Sequence, residues 1–404
     1  MLEKQVAGYL EQLRERQPLP LEVALWNGAR VPLNDSPSVT VRLNNPQAAR
    51  HFLKPSLDSL GEAFVEGLID VEGPIRSVVE VAEGLARHHV PGEFRGLLPD
   101  WLSRHSRKSD RKAIEYHYDV SNEFYSLWLD PQMIYSCAYF RSGDEDLATA
   151  QTQKLEHICR KLMLEPGQTL LDIGCGWGAL AIHAARNWGV RVVGVTLSTN
   201  QFELATERVR AAGLEGRVEI RLQDYRDIPG DGVFERISSV GMFEHVGLRN
   251  LRGYFDVVHR LLMPGGIALN HGITSADTES RSVGMGAGEF IDRYVFPDGE
   301  LPHVSLAIRE LSAAGLELTD AESLRRHYAQ TLWFWSDAFE ANLARLTELA
   351  GERRARIWRI YLAGCAHAFA HNWINIYQLL AVRPRQEANG AFSPLPLSRE
   401  YMYR

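Results

Sequence analysis

One segment constrains this chain more than any other: in Leu170-Leu171-Asp172-Ile173-Gly174-Cys175-Gly176-Trp177-Gly178 an apolar strand ends in three alternate glycines and opens into a helix. Glycine at such a turn removes the Cβ atoms that hold a ligand off the backbone, and the helix start offers unpaired N–H groups. The spacing is GxGxG rather than GxGxxG, and Asp172 stands two residues before the first glycine, inside the strand end. Both features point away from a dinucleotide fingerprint. The runs TLLDIG, ALAIHAARNWG, VRVVGVTL, STNQFELATERVRAAG, RVEIRLQDY, ERISSVGMF, LRGYFDVVHRLL and GIALNHGI alternate strand-like and helical patterns. Four or more such alternations predict a parallel sheet covered by helices on both faces. An aromatic-rich helical stretch from 328 to about 370 interrupts the rhythm before NWINIYQLLAV, which reads as the last strand.

Upstream, residues 1–103 mix short apolar runs with Gly, Pro and Asn and read as a small α/β domain. Residues 104–115 read as a basic linker, since RHSRKSDRK carries five Lys or Arg against one Asp. Residues 116–404 read as the second domain, which carries the glycine turn and the alternating strands and helices. A length of 404 residues with 45% hydrophobic content supports a sizeable core and two domains. The formal net charge of -7 argues against a surface built to neutralise nucleic-acid phosphates. Cys137, Cys159, Cys175 and Cys365 are far apart with no CxxC pair, so no metal centre and no disulfide framework is expected, and a reducing cytoplasm fits. No apolar run approaches the roughly 20 residues of a membrane span, and the N-terminus does not resemble a signal peptide.

The DxGxGxG form is similar to the first motif of S-adenosylmethionine (SAM) methyltransferases, where the methionine part of the ligand lies against the glycines. The second strand of such folds ordinarily ends in an acid for the ribose hydroxyls. Here Thr196 takes that place, and Thr196 to Gln201 supply hydroxyl and amide partners instead. After the third strand, Gln223 and Asp224 stand where a carboxylate can accept from an adenine amino group; the alternative for Asp224 is a turn or cap residue.

Three further segments, YSCAYF at Tyr135–Phe140, GMFEHVG at Gly241–Gly247 and FIDRYVFP at Phe290–Pro297, together with YHYDVSNEFYSLWLD, resemble the cyclopropane fatty acid and mycolic acid cyclopropane synthase family over about residues 110 to 385. The N-terminal domain is similar to that of the bacterial phospholipid-acting branch. The resemblance implies a class I SAM-methyltransferase Rossmann-like α/β fold with helical lid insertions. It implies addition of a SAM-derived methylene across a cis double bond of an unsaturated phospholipid at the inner face of the membrane, with SAM and bicarbonate as cofactors. A homodimer is compatible with it.

Carried over residue by residue, cofactor contacts fall at Tyr135, Ser136, Gly174, Gly176, Thr196, Leu197, Gln201, Gln223, Asp224 and Val240, with Asp172 at the strand end. Tyr135 and Ser136 are expected to close over the cofactor as a lid. The bicarbonate site falls at Cys137, Glu244, His271 and Tyr328 with the backbone near Ile273. A thiol, an imidazole and a phenol can donate to an anion, whereas a bare carboxylate repels one. Glu244 is therefore expected to orient His271 or to share a proton with the ion. The family also marks Cys365; alkene alkylation needs no thiol nucleophile, so pocket lining suits it better than catalysis.

The histidine strand reads Leu269-Asn270-His271-Gly272-Ile273, where the family pattern is Leu-His-Thr-Ile. A polar group at Asn270 and a deleted side chain at Gly272, beside the reacting centre, raise the alternative of a 10-methylene or 10-methyl branched product. Basic clusters at 104–112, at Arg325-Arg326-His327 and at Arg353, Arg354, Arg356 and Arg359 are expected to face anionic head groups, solvated helix faces being the alternative for the last. A SAM- or lipid-binding protein without catalysis is disfavoured by the complete set of cage side chains, and a nucleic-acid methyltransferase by the acidic balance.

Overall fold

The computed structural model describes residues 2–16, 18–87, 121–280, 283–297, 299–388 and 390–403. The basic linker, including 104–112, and the beginning of the YHYDV motif lie outside the described residues.

The N-terminal part runs α1 (Leu2–Arg16), β1 (Leu21–Ala24), β2 (Arg30–Pro32), β3 (Val39–Leu43), α2 (Ala49–Leu53), α3 (Leu57–Val65), β4 (Ile69–Glu72) and α4 (Ile75–Arg87). Its four strands form one sheet in the order β2-β1-β3-β4. Period-2 alternation places Val39, Val41 and Leu43 of β3 in a core with Leu10, Phe52 and Leu85, while Arg42 faces out. Ser56 starts α3 by accepting from the Ser59 amide at 3.0 Å.

The larger part continues with α5 (Asn122–Ser126), α6 (Leu147–Lys161), β5 (Thr169–Ile173), α7 (Ala179–Trp188), β6 (Arg191–Thr196), α8 (Thr199–Ala211), β7 (Val218–Leu222), β8 (Phe234–Val240), α9 (Leu251–Leu261), β9 (Leu262–Ser275), α10 (Ala287–Tyr294), α11 (Val304–Ala313), β10 (Glu317–Ser323), α12 (Arg325–Ala341), α13 (Leu343–Ala350), α14 (Glu352–Ala370) and β11 (Ile374–Val382), then a hairpin of β12 (Arg385–Glu387) and β13 (Gly390–Phe392). The seven-stranded sheet has the order β10-β11-β9-β8-β5-β6-β7. Strands β5 to β9 pair in parallel, and the near-continuous burial of β5 follows from helices covering both faces.

Two features depart from an all-parallel expectation. NWINIYQLLAV is a strand, yet β11 runs antiparallel to both neighbours. Strand β10, ELTDAES, has no apolar run to betray it, because it is a sheet edge paired on one side and largely wet on the other.

Helices α12 to α14 lie between the sheet and the N-terminal part. Arg356 donates to Asp70 at 2.7 Å and to the carbonyls of Phe64 and Ile69, and Arg353 pairs with Glu66 at 2.9 Å. Arg359 pairs with Glu340 at 2.6 Å. Of the arginine cluster expected to meet head groups, Arg353 and Arg356 are therefore engaged as a clamp between the two parts, and Arg359 braces α14 against α12. Arg325 donates to the carbonyls of Phe369 and Ala370 at the end of α14, and His327 accepts from the Phe140 amide at 3.1 Å, so those basic residues also serve the interior.

Candidate active site

A cavity of about 610 Å³ opens at the carboxyl ends of β5, β6 and β8, where open α/β sheets bind ligands. Tyr135, Ser136, Asp172, Gly174, Gly176, Thr196, Leu197, Gln201, Gln223 and Val240 all line it. Gly174 has φ +76°, and a Cβ there would stand 3.0 Å from that of Met242; at Gly176, φ +54°, nothing lies within 4 Å of a Cβ position. The turn thus needs glycine for its backbone and keeps the space above it clear. Thr196 Oγ1 donates to Gln201 Oε1 at 2.8 Å, and Ser198 caps α8 by accepting from the Gln201 amide.

Asp224 is the exception. Its carboxylate is held by the Arg226 guanidinium at 2.7 and 2.9 Å and caps its own turn, and Tyr225 and Arg226 line the cavity in its stead. Asp224 thus serves as the turn cap offered as its alternative, with its carboxylate paired to Arg226.

Lys154 also lines this cavity, and sequence reasoning missed it. It is buried, its Nζ donates to Ser136 Oγ at 2.8 Å, and burial pulls the ammonium down to about 8. Gln151, one turn earlier, donates to the carbonyls of Ser136 and Ile134, so α6 holds the Tyr135-Ser136 segment in place. Gln151, Lys154, His157 and Lys161 form a polar stripe at helical spacing, which in isolation reads as a solvated face. Here all four are buried, with Lys161 and His157 meeting Glu322 of β10 at 2.6 and 2.8 Å. Asp172 accepts from Ser238 Oγ at 2.9 Å, and burial pushes its carboxyl up to about 6.

Backbone contacts along β9, β11 and the start of α12 link the segments that carry the expected anion-site residues. Glu244 Oε1 accepts from the Ile273 amide at 2.7 Å. Ile273 faces Ile376, whose carbonyl accepts from Leu324, and the Leu324 carbonyl receives the Tyr328 amide at 2.9 Å and the Cys137 thiol at 3.8 Å. His271 lies two register pairs along β9, its Nδ1 3.4 Å from Gln378 Nε2. Among the described residues, Glu244 Oε2 and His271 Nε2 are buried with no hydrogen-bond partner. Burial raises the Glu244 carboxyl to about 7 and drives His271 well below its usual range, so the imidazole is neutral.

Two expectations change here. Glu244 holds the Ile273 amide and does not orient His271. The Cys137 thiol donates to the Ala138 carbonyl at 3.3 Å, so it sits as a small core residue with its proton directed at the backbone. The departures at 270 and 272 are structural as well. Tyr254 donates to Asn270 Oδ1 at 2.8 Å, and a Cβ on Gly272 would lie 2.2 Å from the Phe243 ring. Alternation puts both positions on the face opposite His271, so they add neither a polar group nor open space on the His271 side.

A second cavity, about 170 Å³ and almost wholly apolar, lies between the two parts of the chain. Phe52, Leu60 and Val78 line one side; Phe290, Tyr361 and Cys365 line the other. Tyr361 Oη is 3.3 Å from Tyr135 Oη, so the walls of the two cavities touch. Tyr135 itself packs among Trp128, Trp335 and Tyr125 at centroid distances of 5.3, 5.2 and 5.9 Å. Burial pushes the Cys365 thiol up to about 12, so it is no thiolate at neutral pH. Cys365→Ser is expected to keep its activity within about threefold of wild type, because no thiolate chemistry is at stake; complete loss in a folded variant would contradict this.

This sheet order, with a glycine turn after the first strand and a cofactor-sized cavity above it, defines a SAM-dependent methyltransferase with the class I Rossmann-like fold. Solved structures agree: the cyclopropane synthase MmaA2 from Mycobacterium tuberculosis matches with TM-score 0.64 and 32% identity over 67% of this chain and 98% of its own. The mycolic acid cyclopropane synthase CmaA1, complexed with SAH and CTAB, matches with TM-score 0.64 and 36% identity over the same shares. The family model described as mycolic acid cyclopropane synthetase covers residues 105–379, and the chain belongs to that family. A domain of unknown function matches residues 9–90. Among curated relatives, a probable fatty acid methyltransferase of Pseudomonas putida is 48% identical over 96% of this chain and 97% of its own length. The cyclopropane-fatty-acyl-phospholipid synthase of Escherichia coli K12 is 37% identical over 89% and 92%.

Proposed function

We propose that this chain transfers the methyl group of SAM to the cis double bond of an unsaturated phospholipid acyl chain and closes the product to a cyclopropane. The observation that carries this reading is the apolar cavity whose wall meets the cofactor cavity at the Tyr135–Tyr361 contact. A hydrocarbon chain fits such a lining, and a polar acceptor does not.

SAM, when bound, supplies an electrophilic methyl group; the glycine turn, Thr196 with Gln201, and Lys154 with Asp172 offer the backbone, hydroxyl, amide and charged partners to hold it. An alkene is a weak nucleophile, so the chain must align it with that methyl and keep water away. Methyl transfer leaves positive charge on the acyl chain, which the aromatic faces around Tyr135 stabilise through their quadrupoles.

Ring closure then requires loss of a proton. Bicarbonate supplies a base when bound, and the unpartnered Nε2 of His271 and Oε2 of Glu244 suit a small anion, with Glu244 able to hold a proton near neutrality. Tyr328, at the start of α12, would complete the set. Among the described residues no helix is long and apolar enough to cross a membrane; contact with a phospholipid surface at the inner face is part of the proposal, its candidate surface being the groove at Arg326 and Trp333, where Arg76 pairs with Asp337 and Arg325 holds the end of α14.

A branched 10-methylene or 10-methyl product shares the first step, and the name of the Pseudomonas putida relative favours it. Turnover of labelled SAM with unsaturated and saturated phospholipid vesicles tests the reading, together with Gly364→Phe, which fills the apolar cavity at a position with nothing within 4 Å of its Cβ. Lipid-dependent turnover that Gly364→Phe abolishes without loss of SAM binding is expected; equal turnover without unsaturated lipid would overturn it. Mass spectrometry of the product decides the last step, since a ring gains one methylene unit and resists the hydrogenation that reduces an exomethylene.

A further inference from the structure

The junction between α4 and α14 holds a cluster that the reaction does not use. Glu83 and His367 are buried, and His371, one helical turn beyond His367, is exposed. His367 Nε2 lies 2.8 Å from Glu83 Oε2, and the two imidazole rings are 3.9 Å apart between centroids. One donor atom from each of the three residues can be chosen so that all lie within 4.8 Å of one another.

The hydrogen bonds around these residues set them up as ligands. His371 Nδ1 is 2.9 Å from the carbonyl oxygen of His367. A carbonyl can only accept, so Nδ1 carries the hydrogen and Nε2 keeps its lone pair, the tautomer that metal-ligating histidines adopt. The other oxygen of Glu83 is held by Arg87, which orients the carboxylate and leaves Oε2 turned to His367. Two ligand atoms at about 2.0–2.1 Å from a tetrahedral ion are about 3.3 Å apart, so the His367–Glu83 contact need open by only about half an ångström as the ion replaces the shared proton. The spacing His367-Ala-Phe-Ala-His371 puts both rings on one helix face, and the exposed edge of His371 leaves room for water as a fourth ligand.

We infer that Glu83, His367 and His371 form a site for a borderline divalent transition ion of the zinc class, which fastens α4 of the N-terminal part to α14 of the catalytic part. Nitrogen and carboxylate ligands without thiolate suit zinc, cobalt or nickel rather than calcium or magnesium. The site is independent of the methyl transfer and stands whether or not that reading holds.

Calorimetric titration of the metal-free full chain with Zn2+, and absorption spectra with Co2+, test it. One ion per chain, a Tm that rises with Zn2+ concentration, and d–d bands typical of low coordination number are expected. His371→Ala changes an exposed residue, and Glu83→Gln keeps the shape and an acceptor for His367; each is expected to abolish the stoichiometric binding and the Tm rise while leaving SAM binding unchanged. Absence of binding to the wild-type chain, or binding that survives His371→Ala unaltered, would overturn the inference.

Discussion

Replacing Glu244 by Gln is expected to lower lipid-dependent turnover by about 10²- to 10⁴-fold, the usual contribution of a positioned acid or base, in a chain that folds and still binds SAM. The variant separates structure from chemistry. Glu244 Oε1 accepts from the Ile273 amide at 2.7 Å, and a Gln carbonyl oxygen can do the same. What the amide cannot do is take or give a proton at the unpartnered position now held by Oε2. Near-native turnover of the variant would remove Glu244 from the reaction.

The same substitution changes the pH dependence of stability. Burial raises the carboxyl from its model-compound value of 4.5 to about 7, so between these limits the folded chain holds a proton that the unfolded chain releases. The stability this group supplies is complete below about pH 4.5 and falls away as pH rises to 7, by roughly 3 kcal/mol in all. Glu244→Gln lacks that loss. Its Tm should therefore gain on wild type as pH is raised from 4.5 to 7, and parallel Tm profiles would contradict the buried, proton-holding carboxyl.

The second large effect concerns Lys154. Lys154→Met preserves length and removes a buried ammonium whose burial is costly, so the variant is expected to be at least as stable as wild type. The KM for SAM, by contrast, should rise about 10- to 100-fold, the magnitude of a lost hydrogen bond to a charged group. An ammonium beside Ser136 and the glycine turn is placed to meet the carboxylate of the methionine part. Unchanged SAM affinity together with lowered stability would assign Lys154 to the scaffold instead.

Much of the cofactor cavity was legible because its signals are local. Gly174, Gly176 and Thr196 belong to short strand-to-helix turns, where neighbouring residues in the chain are also neighbours in space. Lys154 went unread and Asp224 kept two readings for one shared reason. Whether a polar side chain on a helix or turn meets water, a ligand or another side chain depends on how the chain packs around it: Ser136 receives Lys154, Glu322 receives His157 and Lys161, and Arg226 folds back on Asp224. Asn270 and Gly272 show the same limit. Read along the chain they flank His271 as though sharing its surroundings, but a strand turns successive residues to opposite faces, where Tyr254 and Phe243 receive them.

By itself, then, the amino-acid order determined the alternating strands and helices, the glycine turn and the motifs of the family, since these depend on backbone freedom and on periodic burial. The tertiary structure alone decided that β11 runs antiparallel, that Arg353 and Arg356 of α14 bind the N-terminal part, and that an apolar cavity lies against the cofactor cavity. Those features are made by groups from tens to hundreds of residues apart, and only the packed chain brings their charges and surfaces within reach of one another.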